Sequence, residues 1–226
     1  MAKKFVKRAF FNTLPVMAGY IVLGMGFGIM MHSKGYGILW ALFMSVFIYA
    51  GAMQYLAVDL LTGGASLITA AITTLMVNAR HLFYGISMVD KYKDTGKTKP
   101  YLIFALTDET YSLVCGEEEK DKKYYLLVSL FNHIYWITGT LLGSALGALI
   151  SFNTKGIDFA LTALFLTVLV EQWQSTKEHA YAIIGLASSV LCLLLFGADG
   201  FLIPSMLLIT LALTVYKRVK AGGGNE

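Results

Sequence analysis

The sequence carries little charge for its length, and this scarcity excludes most classes of soluble protein. Only 14% of its 226 residues are Asp, Glu, Lys or Arg, whereas 57% are hydrophobic. An ordinary soluble domain has about 25% charged residues. The mean hydropathy of +0.65 agrees with this contrast. The composition therefore indicates an integral membrane protein.

Residues that bind metals or perform covalent chemistry are also scarce. Cys115 and Cys192 lie in apolar surroundings and are too far apart in sequence for a metal-binding motif, so we interpret them as unreactive buried thiols. No H-E-x-x-H sequence occurs, and the four histidines show no ligand spacing. An intramembrane metalloenzyme is the weaker alternative. We expect a protein that is not an enzyme, with no catalytic residues, no metal and no cofactor.

Long polar segments are absent as well. The polar interruptions between hydrophobic stretches are too short to hold an ATPase, a soluble enzyme domain or a receptor domain. No basic stripe interleaves with aromatic residues, so no nucleic-acid partner is expected. We expect one integral membrane transporter domain, residues 1–226, with no ATPase.

Hydrophobic stretches fill most of the chain. A membrane-spanning helix needs about 20 mostly apolar residues and satisfies its own backbone hydrogen bonds. The sequence therefore predicts an all-α, polytopic transmembrane helix bundle of about seven or eight segments. The seven longer ones are Phe10–Met31, Ile38–Leu60, Ser66–Val89, Tyr124–Ile150, Asp158–Trp173, Ala180–Phe196 and Phe201–Tyr216. The eighth, Tyr101–Cys115, is shorter and contains two acids.

Charged residues at the ends and in one loop constrain the topology. Both termini are basic, which predicts that both are cytoplasmic. The first segment resembles a signal peptide without a cleavage site, so we expect it to be retained. Eight crossings, the arrangement we favour, place the four lysines of residues 91–99 outside, against the positive-inside rule. Six crossings, with an odd number of broken or re-entrant stretches before Lys91, place them inside.

A weak internal similarity suggests a duplication. Leu23–Gly24–Met25–Gly26–Phe27–Gly28 resembles Leu142–Gly143–Ser144–Ala145–Leu146–Gly147. Duplicated halves and broken helices are common in transporters. The similarity predicts two repeats of about residues 10–89 and 124–219. Chance resemblance between glycine-rich apolar helices is the alternative.

A first polar group lies inside the third hydrophobic stretch. Each ionisable residue at the bilayer centre costs about 2.5–3.5 kcal/mol on insertion scales, so it requires a reason. Asn78, Arg80, His81 and Tyr84 fall on one half of a helix. They are predicted to point into the protein. The alternative is that Arg80 extends to a nearby membrane surface.

A second group contains adjacent acids. Asp108 and Glu109 lie in a hydrophobic segment and are natural partners for Arg80. We interpret them as candidates for carrying a proton. The alternative is that the segment is interfacial or re-entrant and that its acids are solvated.

Two amides complete the candidate site. Gln54 follows Gly51 and Ala52, whose small size suits helix packing, and it can donate and accept hydrogen bonds at once. Asn132 lies at the start of a stripe along one side of a predicted helix, which continues through Trp136 to Gly139, Gly143 and Gly147. We interpret those glycines as structural, whereas Gln54 and Asn132 are candidate site residues.

These motifs resemble the AzlC family, the large subunit of two-component branched-chain amino acid exporters. The resemblance covers nearly the whole chain. The matching residues are Gly24 and Gly28, Ala50–Gly51–Ala52 with Gln54, Asn78 with Arg80–His81 and Tyr84–Gly85, Thr107–Asp108–Glu109, Asn132–His133 with Trp136, Gly139 and Gly143, and Asp158–Phe159–Ala160–Leu161 with Phe165.

The resemblance implies proton-driven export of leucine, isoleucine, valine or similar amino acids from a bacterium. It implies a multi-pass protein of the bacterial plasma membrane, surrounded by lipid and bound to a small AzlD-type subunit. We expect Arg80 to bind the substrate carboxylate, and Asp108 or Glu109 to bind its ammonium. His81 or the remaining acid is expected to carry the coupling proton. A passive channel and an assembly subunit are alternative functions.

Overall fold

The computed structural model describes residues 2–116, 121–149, 159, 166, 169–170, 173–174 and 178–222. Within this part of the chain the structure is almost entirely helical and contains no strand, which confirms the predicted all-α class. The predicted segment Asp158–Trp173 lies outside the described residues except at isolated positions. The helices described are α1 Ala2–Ser33, α2 Ile38–Phe47, α3 Gly51–Thr62, α4 Leu67–Asn78, α5 Arg80–Tyr92, α6 Lys99–Phe104, α7 Asp108–Cys115, α8 Lys122–Leu149, α9 Ala180–Gly200 and α10 Leu202–Gly222.

Three helical stretches in the described part of the chain are long and apolar enough to cross a membrane. They are Phe5–Ser33 in α1, Lys122–Leu149 in α8 and Ala180–Ala198 in α9. With the shorter apolar helices they confirm the predicted membrane helix bundle. The proposed internal repeat stays a prediction.

The core of the described structure is the parallel packing of α1 against α8. A Cβ added to Gly24 would lie 2.9 Å from the Trp136 carbonyl oxygen, and one added to Gly139 would lie 2.7 Å from the Ile21 carbonyl oxygen. Only glycine allows two backbones to approach this closely. The predicted structural role of the glycine stripe is therefore confirmed at Gly139.

Three of the predicted hydrophobic segments are broken near their middle. The breaks lie at residues 48–50 between α2 and α3, at residue 79 between α4 and α5, and at residues 105–107 between α6 and α7. Broken helices are tolerated at membrane depth where the freed backbone is buried or lines a cavity.

The segment α2–α3 folds back on itself. Gln54 on α3 donates a hydrogen bond to Ser45 Oγ on α2 across the break (3.1 Å). Arms of 10 and 12 residues measure about 15 and 18 Å, which is enough to reach the middle of a hydrocarbon core of about 30 Å and return. The segment is therefore a re-entrant hairpin from the face at which α1 ends.

The segment α4–α5, in contrast, continues in one direction. Ala79, between the two helices, keeps helical dihedral angles (φ −54°, ψ −32°). The 12 and 13 residues of the two helices measure together about 37 Å. This length is sufficient for one full crossing.

The segment α6–α7 forms a second hairpin. The first residue of α5, Arg80, pairs with the first residue of α7, Asp108. Near the end of α5, Lys91 Nζ donates to the Val114 carbonyl near the end of α7 (3.0 Å). Helix α7 therefore runs parallel to α5, towards the face at which α5 ends. Helix α6 begins at that same face, because only a short loop joins it to α5.

The second hairpin enters from the face at which α1 begins, called here the N-terminal face. The Arg8 guanidinium on α1 lies 4.8 Å from the centre of the Tyr124 ring at the start of α8. The rings of Tyr92, at the end of α5, and Tyr125 are 5.8 Å apart. The start of α1, the end of α5 and the start of α8 therefore share one face.

The hairpins change the crossing count that hydropathy suggests. Residues 2–149 contain three crossings, formed by α1, α4–α5 and α8, and two hairpins that enter from opposite faces. The eight-crossing arrangement put residues 91–99 on the face opposite the N-terminus. The structure puts them on the N-terminal face because α2–α3 turns back, as the six-crossing alternative requires.

Candidate functional site

The three helix breaks meet in one pocket between α1 and α8. Its lining residues are Tyr20 and Leu23 of α1, Tyr49–Ala50–Gly51–Ala52 at the first break, Arg80 and His81 at the second, Thr107, Asp108 and Glu109 at the third, and Trp136 of α8. The pocket therefore lies where both hairpins reach their deepest point, about halfway across the bundle.

An ion pair forms one wall of the pocket. Arg80 Nη1 lies 2.6 Å from Asp108 Oδ2, and each side chain is 28% exposed. The other carboxylate oxygen, Asp108 Oδ1, is buried and has no partner among the described residues. Arg80 therefore pairs inside the bundle, and the alternative in which it extends to the membrane surface is wrong. Separating such a pair leaves an uncompensated charge in a poorly solvated place.

A hydrogen-bond network holds the second acid. Tyr20 Oη donates to Glu109 Oε2 (2.6 Å) and lies 2.7 Å from Thr107 Oγ1. The network continues through Thr110, whose Oγ1 accepts from Asn132 Nδ2 at 3.0 Å. Within the described part of the chain, Glu109 forms no salt bridge. Its carboxyl group is therefore available to a cationic ligand.

A histidine adjoins the ion pair. His81 Nδ1 lies 3.2 Å from the carbonyl oxygen of Asn78. Because a carbonyl only accepts, Nδ1 carries the proton in this contact, and Nε2 is then the nitrogen that can exchange one. The side-chain oxygen Oδ1 of Asn78 is buried without a partner among the described residues.

Two further polar residues support the pocket from behind. Gln54 is fully buried and bonds to Ser45, whose Oγ lies 2.9 Å from Thr140 Oγ1 on α8. His133 contacts both hairpins, since its Nε2 is 3.2 Å from the Ser45 carbonyl and its Nδ1 is 3.2 Å from Tyr101 Oη. These contacts fix both hairpins against α8.

The structure divides the predicted site residues into two groups. Four line the pocket, namely Arg80, His81, Asp108 and Glu109. Three lie behind its walls, namely Gln54, Asn78 and Asn132. Their roles in binding or proton transfer stay predictions. Sequence reasoning missed Tyr20 and Leu23, although a tyrosine in mid-helix signals that its hydroxyl needs a buried partner.

The pocket is small. The centres of water molecules can occupy about 40 Å³ of it, which is room for a few waters. The described residues contain no group of three or more His, Cys, Asp or Glu that could hold a metal.

Comparison with known proteins places the chain in a family. The family model described as AzlC protein matches residues 15–150, which include every residue that lines the pocket. The chain belongs to the AzlC family. The family that the sequence resembles is thereby confirmed.

Individual relatives match over most of this chain. The branched-chain amino acid transport protein AzlC of Bacillus subtilis is 45% identical over 216 residues, covering 94% of this chain and 85% of the relative. An uncharacterized membrane protein of Helicobacter pylori strain 26695 is 43% identical, covering 95% and 96%. The inner membrane protein YgaZ of Escherichia coli is 29% identical, covering 74% and 73%. No solved structure shows significant similarity.

Proposed function

We propose that this AzlC-family protein exports branched-chain and similar apolar amino acids across the bacterial plasma membrane. The central support is the pocket, in which an ion pair and a carboxylate without a basic partner among the described residues lie at the meeting point of three helix breaks. The printed name of the Bacillus subtilis relative supports the substrate class. Transporters of other families place substrate sites at broken helices near the midplane.

The residues suit a zwitterion with an apolar side chain. Glu109 is the better candidate for the substrate ammonium, because Asp108 is already paired with Arg80. Leu23 and Trp136 supply apolar surface for the side chain. Opposite charges in the pocket then replace the hydration that the substrate loses.

The ion pair offers a route to proton coupling. A proton that binds Asp108 neutralises the carboxylate and releases Arg80, which changes the charge of the pocket. His81 adjoins this pair and can hold the proton in transit. Export of the substrate from the cell is then coupled to the entry of a proton into the cell.

The two hairpins are suited to act as gates. They enter from opposite faces and meet at the pocket, so withdrawal of either one opens the pocket to one side. We assign the N-terminal face to the cytoplasm, because it carries Arg8, Lys91 and Lys97. A small AzlD-type subunit completes the exporter in this proposal.

The test is transport of labelled leucine by purified protein in liposomes. The chain is reconstituted with a small AzlD-type subunit, and efflux is measured under a proton gradient of either polarity. We expect gradient-dependent efflux of leucine, isoleucine or valine. Flux that does not depend on the proton gradient would favour the passive channel. Absence of flux of leucine, isoleucine and valine would refute the proposal.

A further inference from the structure

The start of α3 is an unfilled site for a negative charge in the pocket wall. Helix α3 begins at Gly51, and its N-cap residue Ala50 has no side chain that can cap it. The first α3 amide to find a carbonyl partner is that of Gln54, which donates to Ala50 (2.8 Å). The preceding N–H groups of the first turn have no partner within the helix and carry partial positive charge.

Helix α7 faces α3 across the pocket, and the start of α7 is already capped and negatively charged. In α7, Thr107 Oγ1 accepts the Thr110 N–H at 3.2 Å, which caps the helix. Its first turn contains Asp108 and Glu109, which complement the helix dipole. The first turn of α3 contains no acid. Only the start of α3 therefore lacks a negative partner in this pair.

A buried side chain at the same wall also lacks an acceptor. Tyr49 lines the pocket and is 3% exposed, and its Oη has no hydrogen-bond partner among the described residues. The benzo edge of the Trp136 indole packs against the start of α3, because a Cβ on Gly51 would be 3.1 Å from its Cη2 atom. This contact encloses the site with apolar surface. A buried donor without a partner is costly, and an anionic ligand would satisfy it.

The arginine of the pocket is a weaker candidate for the same charge. Arg80 already neutralises Asp108 at 2.6 Å. A substrate carboxylate that binds Arg80 has to compete with the Asp108 carboxylate. A substrate carboxylate that binds the start of α3 meets only hydrogen-bond donors there.

We propose that the carboxylate of the transported amino acid binds at the N-terminus of α3, with the Tyr49 hydroxyl as an additional donor. This proposal rests on the proposed function and specifies its substrates. Glu109 holds the ammonium, so the pocket selects molecules that carry both a free carboxylate and a free ammonium. Amides of amino acids and simple amines are then excluded as substrates.

The test compares the affinities of leucine and leucinamide for the purified protein. Leucinamide keeps the ammonium and the side chain but lacks the negative charge. We expect wild-type protein to prefer leucine by roughly 10- to 100-fold, the range of one or two charge-assisted hydrogen bonds. The double variant Arg80→Gln with Asp108→Asn removes the ion pair without adding net charge, and it should keep this preference.

A second variant fills the site with a carboxylate of the protein itself. Aspartate is a favoured N-cap residue, so Ala50→Asp should stabilise α3 while occupying its N–H groups. We expect leucine binding to fall at least about tenfold, with leucinamide binding unchanged or tighter. Thr62→Asp, at the other end of α3, adds the same charge outside the pocket and should change neither affinity.

The outcomes separate this proposal from the proposed function. If the double variant loses the preference while Ala50→Asp keeps it, Arg80 binds the carboxylate and the inference is wrong. Equal binding of leucine and leucinamide by wild-type protein also refutes it, although leucine is then still a ligand. Failure of wild-type protein to bind any branched-chain amino acid refutes the proposed function itself.

Discussion

Replacing Gly139 by alanine should loosen the contact between α1 and α8 on which the pocket depends. The new Cβ would lie 2.7 Å from the Ile21 carbonyl oxygen and 2.8 Å from that of Tyr20. Both are backbone atoms of α1, so the helices have to separate by several tenths of an ångström. Tyr20 also donates to Glu109 at 2.6 Å, and the shift should weaken that bond.

Overpacking of this kind costs about 1–3 kcal/mol, whereas alanine in place of glycine gains up to about 1 kcal/mol of helix propensity. Gly19→Ala, on α1, is the matched control, because a Cβ there meets nothing within 4 Å. Both variants gain the same propensity, so their difference isolates the packing cost.

The assay is thermal unfolding of both variants in one detergent. For a chain of this length, 1 kcal/mol corresponds to roughly 2–4 °C in the unfolding midpoint. Gly139→Ala should therefore unfold about 2–12 °C below Gly19→Ala. Equal midpoints would refute the close backbone contact.

Three further predictions concern the ion pair, a helix cap and the topology. Asp108→Asn should destabilise the protein by about 3 kcal/mol, because it removes the carboxylate that Arg80 Nη1 contacts at 2.6 Å, and adding Arg80→Gln should restore most of the midpoint; absence of rescue would contradict direct pairing. Thr107→Ala removes the cap of α7 and should cost about 1 kcal/mol in the same assay; an unchanged midpoint would contradict the cap. In a protein whose two native cysteines are replaced by serine, we introduce Lys34→Cys and Lys97→Cys one at a time. The two variants should react with a membrane-impermeant thiol reagent added to opposite sides of the membrane. Eight crossings predict reaction from the same face.

Hydrophobicity alone located the helical segments but not their paths. Ile38–Leu60 is apolar throughout, and a hairpin with two apolar arms has the same hydropathy as one crossing. The reversal at residues 48–50 depends on contacts such as Gln54 with Ser45, which join residues whose proximity the sequence does not show. The lysines of residues 91–99 were the only sequence signal that one stretch before them turned back.

The candidate site was partly predictable for a physical reason. Ionisable residues in hydrophobic segments are costly, so Arg80, His81, Asp108 and Glu109 stood out, and all four line the pocket. Leu23 is apolar, so it costs nothing to place in a hydrophobic segment, and the sequence gives no reason to single it out. The N–H groups at the start of α3 belong to the backbone, so the sequence gives no sign of them until the helix is known to begin at Gly51.

The most direct test of the pocket as a transport site is leucine efflux from liposomes by two matched variants. Glu109→Gln removes the charge that we assign to the substrate ammonium. Glu178→Gln removes an exposed acid that pairs with Lys220 outside the pocket. We predict that Glu109→Gln lowers the rate at least about tenfold, whereas Glu178→Gln keeps the wild-type rate. Wild-type efflux in Glu109→Gln would contradict the account.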